Sequence, residues 1–216
     1  MDAEPIYMGA GASVMYASQS LAGLRRAVSR GMPSKLEGRL AIQRENSTMS
    51  YTIDQFAADC RAALLKDPGP AGRERVRQFT EKACADREFV AEHLGPHAEA
   101  EREILYEDPD LHFCILAHVY KGAKSSAPHD HGPSWAIYGQ AAGVTEMTDW
   151  RLVERPTTDK SGKVAKVRTY KLTPGMACLY AEGDLHSPRR ESETRLIRIE
   201  GVDLAKVKRD KYEIAA

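Results

Sequence analysis

The chain has 216 residues, with 31 Lys+Arg balanced by 31 Asp+Glu, so its formal net charge at pH 7 is zero. Nucleic acid and anionic membrane surfaces both demand a concentrated positive field, so neither is expected as a partner. Its 42% hydrophobic and 29% charged residues make a globular composition, and no window approaches the roughly 18 unbroken apolar residues of a membrane span. Cys60, Cys84, Cys114 and Cys178 are scattered with no C-x-x-C, which argues against a disulfide framework or thiolate zinc site and predicts a cytoplasmic, reducing setting.

Residues 1–48 read apart from the rest. The opening MDAEPIYMGAGASVMYASQS has neither the basic start nor the apolar run of a secretory signal. Gly9-Ala10-Gly11-Ala12-Ser13 lacks both the preceding strand and the closing Gly-Lys-Ser/Thr of a phosphate loop, and reads as flexible chain. Residues 18–30 predict a short helix with Leu21, Leu24 and Val28 on one face. Met49 stands just ahead of a compact unit, so 1–48 is expected to be a dispensable extension or an artefact of start-codon choice.

Three helices are predicted in residues 49–100, packed on the C-terminal half. Thr52-Ile53-Asp54-Gln55 has the capping-box form, and Ile53, Phe56, Ala57, Cys60 and Leu64 succeed it at helical spacing until Pro68-Gly69-Pro70. A second helix begins near Ala71 with Val76, Phe79 and Ala83 on one face, and a third covers 87–94 before Gly95-Pro96. From about Arg102 the pattern turns to short apolar runs at 111–120, 135–138, 144–153, 167–172, 176–180 and 194–199, separated by Gly, Pro, Asp or Ser. A closing helix is expected at 201–208. The fold class is therefore mostly β, a sandwich or barrel over 101–216 with the helices packed on one side.

The chemistry-bearing segment is Ser126-Ala127-Pro128-His129-Asp130-His131-Gly132. In a strand, residues i and i+2 share a face, so His129 and His131 would grip one ion. A third candidate, His186, comes 55 residues after His131 in Gly183-Asp184-Leu185-His186-Ser187-Pro188. Three neutral imidazoles suit a divalent first-row metal and leave positions open for water, substrate or dioxygen. His93, His97, His112 and His118 have no such context and read as ordinary hydrogen-bonded or surface residues. Asp130 should face away from its neighbours and serve a turn, while Asp184 could orient an imidazole. Trp135, Trp150, Cys114 and Cys178 read as packing residues, and no G-x-S-x-G or other nucleophile–base signature is present.

The second segment has the spacing of a known motif: Gly175, five residues, Ala181 where proline is usual, one residue, Gly183, two residues, His186. In the first segment H-x-H lies beyond the turn at Gly122, and Gly143 closes it. These spacings resemble the cupin superfamily, which implies a double-stranded β-helix, the jelly-roll barrel, with N-terminal helices packed on it. Trp135 and Ala136 stand where most cupins carry a fourth, glutamate ligand, and Arg190 where asparagine is frequent. FCILAHVYKGAKSSAPHDHGPSW, residues 113–135, is similar to the first metal segment of the three-His, cysteine dioxygenase-like thiol dioxygenases. The likeness spans roughly 102–199.

That resemblance implies a non-haem Fe(II) dioxygenase oxidising a small carboxylate-bearing thiol to its sulfinate, with the thiol and O2 as partners and pairing as a homodimer. A basic residue should hold the carboxylate. Arg102 aligns with the family's arginine if one gap is allowed, its alternative being an ion pair with a neighbouring glutamate; Arg189 and Arg190, directly after His186, are further anion clamps or solvated charges. The family's Ser-His-Tyr relay is missing, since Arg198 and Glu200 fall near the His and Tyr positions, and Ala136 lies near the place of the thioether-forming cysteine found in some members. Tyr138 is the first candidate to supply the hydroxyl, with Tyr120 and Tyr180 as alternatives. The readings left beside this one are another three-His cupin metalloenzyme (a non-thiol dioxygenase or a lyase) and a non-catalytic metal- or metabolite-binding cupin. Three histidines also suit Mn, Ni, Cu or Zn. Arg189, Arg190, Arg195, Arg198, Lys206, Lys208, Arg209 and Lys211 make the last stretch basic, a local positive field beside a site for a small anion. A chain beginning at Met49 is expected to stay soluble and keep its metal, as checked by size-exclusion chromatography and elemental analysis.

Overall fold

Thr52 begins the helical layer as its capping position predicts: in the computed structural model, which describes residues 50–215, its hydroxyl accepts the Gln55 amide at 3.2 Å. The Gln55 side chain turns instead to Asp59, at 3.0 Å, so only one arm of the box is made. Helix α1, Ile53–Lys66, buries Phe56, Ala57, Cys60 and Leu64. Helix α2, Pro70–Ala85, opens with proline in its first turn, where the missing amide hydrogen has no partner to lose. Asp86 then caps α3, Arg87–Leu94, accepting the Glu88 and Phe89 amides at 2.9 and 3.1 Å. The expected extension at 1–48, with its Gly/Ala stretch and its helix at 18–30, lies outside the described residues.

Ten strands come after the helices: β1 Glu103–Glu107, β2 Cys114–Tyr120, β3 Lys124–Ser125, β4 Ala136–Ala142, β5 Thr145–Glu154, β6 Gly162–Leu172, β7 Ala177–Tyr180, β8 Leu185–Arg190, β9 Thr194–Glu200 and β10 Tyr212–Ile214. One sheet runs β1-β2-β9-β4-β7 and the other β10-β6-β5-β8-β3. Successive strands from β2 to β9 are dealt between the two sheets so that β2-β9-β4-β7 faces β3-β8-β5-β6, which is the strand order of a double-stranded β-helix, the eight-stranded jelly roll of cupins. The fold is thus mostly β, a cupin-type barrel with three helices on one sheet. Among the described strands only β10 breaks the antiparallel rule, pairing parallel to the edge of β6. No helix among the described residues is long and apolar enough to cross a membrane.

Side chains alternate along the first sheet as a pleat requires. Ile115, Ile137, Ile197 and Ile199 point out to Phe56, Phe89 and the helices, whereas Ala136 and Tyr138 point inward to Met147, Leu172 and Tyr180. Glycine lets α2 lie flush on the barrel: a Cβ at Gly139 would stand 2.5 Å from Thr80 Cγ2 and 2.7 Å from Cys84 Sγ.

One expectation needs correction, and one strand is unexpected. Residues 201–208 form no helix beyond a single 3-10 turn at Leu204–Lys206, capped by Asp203, because the chain must then run extended to reach β10. The segment holding His186, which in sequence stands out only as a motif between apolar runs, is strand β8; Pro188 interrupts its amide ladder, yet the Pro188 carbonyl still accepts the Ser126 amide at 3.1 Å. Gly139→Ala is expected to destabilise the fold by about 1–3 kcal/mol through overpacking, read as a lowered denaturation midpoint with an unchanged slope.

Candidate metal centre

His129, His131 and His186 meet at one end of the barrel, with one candidate ligand atom from each lying within 4.8 Å of the others. The convergence has a different origin from the one the H-x-H spacing suggests. The segment carrying His129 and His131 is not a regular strand. It touches the sheet at a single bridge, where the His129 amide donates to the His186 carbonyl at 3.0 Å and the His186 amide returns to the His129 carbonyl at 2.9 Å. The chain turns directly after His131, at Gly132, whose φ is +60°. Ring centroids then stand 4.5 Å apart for His129 and His186 and 4.7 Å apart for His131 and His186.

Backbone carbonyls orient two of the rings. His129 Nδ1 donates to Ala127 at 2.9 Å and His186 Nδ1 to Asp184 at 3.2 Å, which leaves each Nε2 lone pair free for a metal. The Asp184 side chain is occupied elsewhere, accepting the Ala181 amide at 2.7 Å. Asp130 faces away, as expected, binding the Gly132 amide at 3.0 Å and the Tyr212 hydroxyl at 2.8 Å. Tyr180 stacks on His186 with centroids 3.8 Å apart and 12° between planes, and its hydroxyl donates to Asp149 at 3.1 Å.

Burial pushes all three imidazoles below their ordinary pKa; the neighbouring imidazoles add to this at His131 and His186, and Arg198 and Arg209 add to it at all three. They are therefore neutral at pH 7, the form in which imidazole binds metal. His131 Nδ1 is buried without a hydrogen-bond partner. A neutral donor set of three imidazole nitrogens, brought within 4.8 Å of one another, fits a divalent metal ion.

Tyr138, from β4, places its hydroxyl 3.1 Å from His131 Nε2 and 3.2 Å from His186 Nε2. Burial raises its pKa, so it stays protonated. Tyr120 stands off from the three rings, its hydroxyl 3.2 Å from His118 Nδ1. Cys114 and Cys178 are inert packing thiols, each pushed up to about 11 by burial.

A cavity of about 780 Å³ opens beside His129, with Tyr120, Tyr138, Arg190, Arg198 and Arg209 also in its wall. Arg190 is only 4% exposed, lies 4.3 Å over the Tyr120 ring and hydrogen-bonds no acceptor among the described residues; burial lowers its pKa. The solvated reading of Arg190 is thus replaced by a buried cation facing the cavity. Arg198 covers the Tyr138 ring at 4.7 Å, with Nε 3.3 Å from Glu200 but outside hydrogen-bonding alignment. Arg102 is placed otherwise than the resemblance implies. Its guanidinium binds Glu200 at 3.0 Å and Asp203 at 2.5 Å, and it is absent from the cavity wall, because the protein's own carboxylates already engage it. Arg189 is exposed and pairs with Glu146 and Glu191.

In sequence, Arg198 and the segment from Arg209 to Tyr212 stand out only as basic tail residues or displaced relay positions. Their place at the cavity comes from the β2–β9 register and from the strap that leads to β10, neither of which a local motif signals.

No family model matches the chain, and no curated protein matches it. Solved structures similar to it include KdgF from Halomonas sp. (18% identity, 46% of this chain and 74% of that one, TM-score 0.34). A cupin-2 domain protein from Shewanella frigidimarina shows 12% identity over 55% and 95% of the two chains with a TM-score of 0.37. The cupin domain of Schizosaccharomyces pombe Cnp3 shows 10% over 51% and 68% with 0.38. The strand order of this chain, rather than these overlaps, is what makes its barrel a jelly roll.

His129→Ala and His186→Ala should each lower bound metal by at least about tenfold against the parent chain, measured by elemental analysis after dialysis. Stoichiometric metal in both variants would remove the site.

Proposed function

We propose that the chain is a non-haem Fe(II) dioxygenase that converts a small carboxylate-bearing thiol to its sulfinate. The observation that carries this reading is Arg190: a buried guanidinium with no protein acceptor among the described residues, in the wall of the same cavity as His129, one of the three clustered imidazoles, and Tyr138, whose hydroxyl touches the other two. A buried cation left unpaired costs several kcal/mol, and a substrate carboxylate offsets that cost with a planar, bidentate partner.

The balance of the reaction is closed without a reductant. Both atoms of dioxygen pass to sulfur, which is oxidised by four electrons from thiolate to sulfinate. Iron, when bound by His129, His131 and His186, supplies the charge that favours an anionic thiolate and the place where it meets dioxygen. The residues of the chain do the rest. Arg190 fixes the carboxylate and so the distance from the carboxylate to the sulfur. Tyr138 Oη, held protonated by burial and lying beside two of the ligand nitrogens, donates a hydrogen bond to an oxygen atom arriving there. Arg198 over its ring keeps that edge positive. Arg102 acts at one remove, holding Glu200, which in turn sets Arg198.

Thiol-dependent oxygen uptake by the iron-loaded chain, across cysteine, 3-mercaptopropionate and mercaptosuccinate, tests the reading. One O2 should be consumed per sulfinate formed. Arg190→Gln should raise KM by about 10–100-fold, the loss of one charge-assisted pair, and Tyr138→Phe should lower kcat. Turnover that persists without oxygen selects a lyase instead, and tight metal with no turnover on any thiol selects a binding module.

A further inference from the structure

The cavity is larger and more cationic than a three-carbon thiol acid needs. Its volume of about 780 Å³ lies in the upper part of the roughly 300–1,000 Å³ range that encloses drug-sized ligands. Lys124, Arg190, Arg198, Arg209 and Lys211 face it against the acids Asp210 and Glu213.

Pairing reduces this excess to two places. Lys124 is bound to Glu101 and Glu213 to Lys163. Arg102, Arg198 and Lys206 share Glu200 and Asp203, and Lys206 lies outside the cavity wall. Arg190 then remains as one uncompensated charge on the inner wall. At the rim, Arg209 and Lys211 flank Asp210 and have no ion pair among the described residues, which leaves a second net charge. Arg209 is not a free-swinging tail residue. The strap that carries it crosses directly over Gly132: a Cβ there would stand 3.2 Å from Val207 Cγ1, 3.6 Å from the Lys208 carbonyl and 4.0 Å from Arg209 Cγ. The same strap is tied down by the Tyr212 hydroxyl on Asp130 at 2.8 Å and by the Gly162 amide on the Lys211 carbonyl at 2.8 Å. The two positive places therefore belong to different walls, one on Tyr120 and β8, the other on the H-x-H turn.

We infer that the ligand of this cavity carries two anionic groups, one held by Arg190 and the second by Arg209 with Lys211, the two being joined by a short chain that passes His129 and Tyr138. The inference deepens the thiol dioxygenase reading and rests on it only for the thiol; a dicarboxylate and a carboxylate–phosphate share the required chemistry.

Calorimetric titration of the full chain, metal-free and Zn(II)-loaded, with butyrate, succinate, glutarate, adipate and phosphoglycolate separates the cases. At least one dianion should bind tenfold or more tightly than butyrate, and whether a dicarboxylate or phosphoglycolate is best names the second group. Arg209→Gln with Lys211→Gln, exposed positions whose loss leaves the core intact, should erase the dianion's advantage while butyrate binding is kept; Arg190→Gln should weaken both classes. Equal affinity for butyrate and every dianion, or an advantage that survives Arg209→Gln with Lys211→Gln, overturns the inference. Oxidation kinetics separate it from the chemistry: tight dianion binding without oxidation of any thiol leaves this inference standing and removes the dioxygenase. Equal kcat/KM for 3-mercaptopropionate and mercaptosuccinate does the reverse.

Discussion

A reciprocal pair of backbone hydrogen bonds between His129 and His186 is the constraint on which the candidate centre depends. It joins an irregular loop to β8 at one residue from each side, so two ligand side chains are set by main-chain geometry rather than by their own packing. The carbonyls of Ala127 and Asp184, each two residues before its histidine, then fix the ring orientations. Two of the three rings are therefore oriented by backbone groups, which side-chain evolution can surround but not easily displace, while His131 is met by the Tyr138 hydroxyl. That arrangement also explains why no carboxylate is needed beside the imidazoles to orient them, a task that acidic residues perform in many metal sites.

The interior face of β9 sets the electrostatics. Arg198 and Glu200 occupy positions where an eight-stranded barrel would ordinarily place apolar side chains, and Glu200 is 1% exposed. The carboxylate is tolerated because Arg102, Arg198 and the Leu204 amide, at 2.9 Å, all address it. Arg190 has no such shelter. Its companion is the face of Tyr120, a contact worth far less than a carboxylate, and that imbalance gives the cavity its appetite for an anion.

Much of this is legible in the amino-acid pattern, and the remainder has a common cause. Thr52 and the Phe56/Cys60/Leu64 stripe mark α1 because caps and helical periodicity are local signals; the third helix is readable for the same reason. His129, His131 and His186 stand out through spacing that a barrel imposes on its turns, although strand alternation, which would align the first two, is not what aligns them. Arg102 and Arg190 exchange apparent roles because ion pairing is decided by partners about a hundred residues away: Glu200 reaches Arg102 only through the register of β2 with β9. The strap over Gly132 is equally silent in sequence, since a glycine with positive φ announces a turn and not the chain that will cross it.

Strand β9 also carries a kinetic consequence. It lies between β2 and β4, yet β2 begins at Cys114 and β9 only at Thr194, so the centre of the first sheet is filled by its last-made strand. Until then β2 and β4 present unpaired edges of apolar residues, the exposure that invites association between partly folded chains. Closing so distant a pair is slow compared with local hairpins. The strand that completes the barrel must in addition carry Arg198 and Glu200 out of water as it docks. Temperature and chain concentration during refolding should thus matter more to this protein than the stability of its finished barrel would suggest.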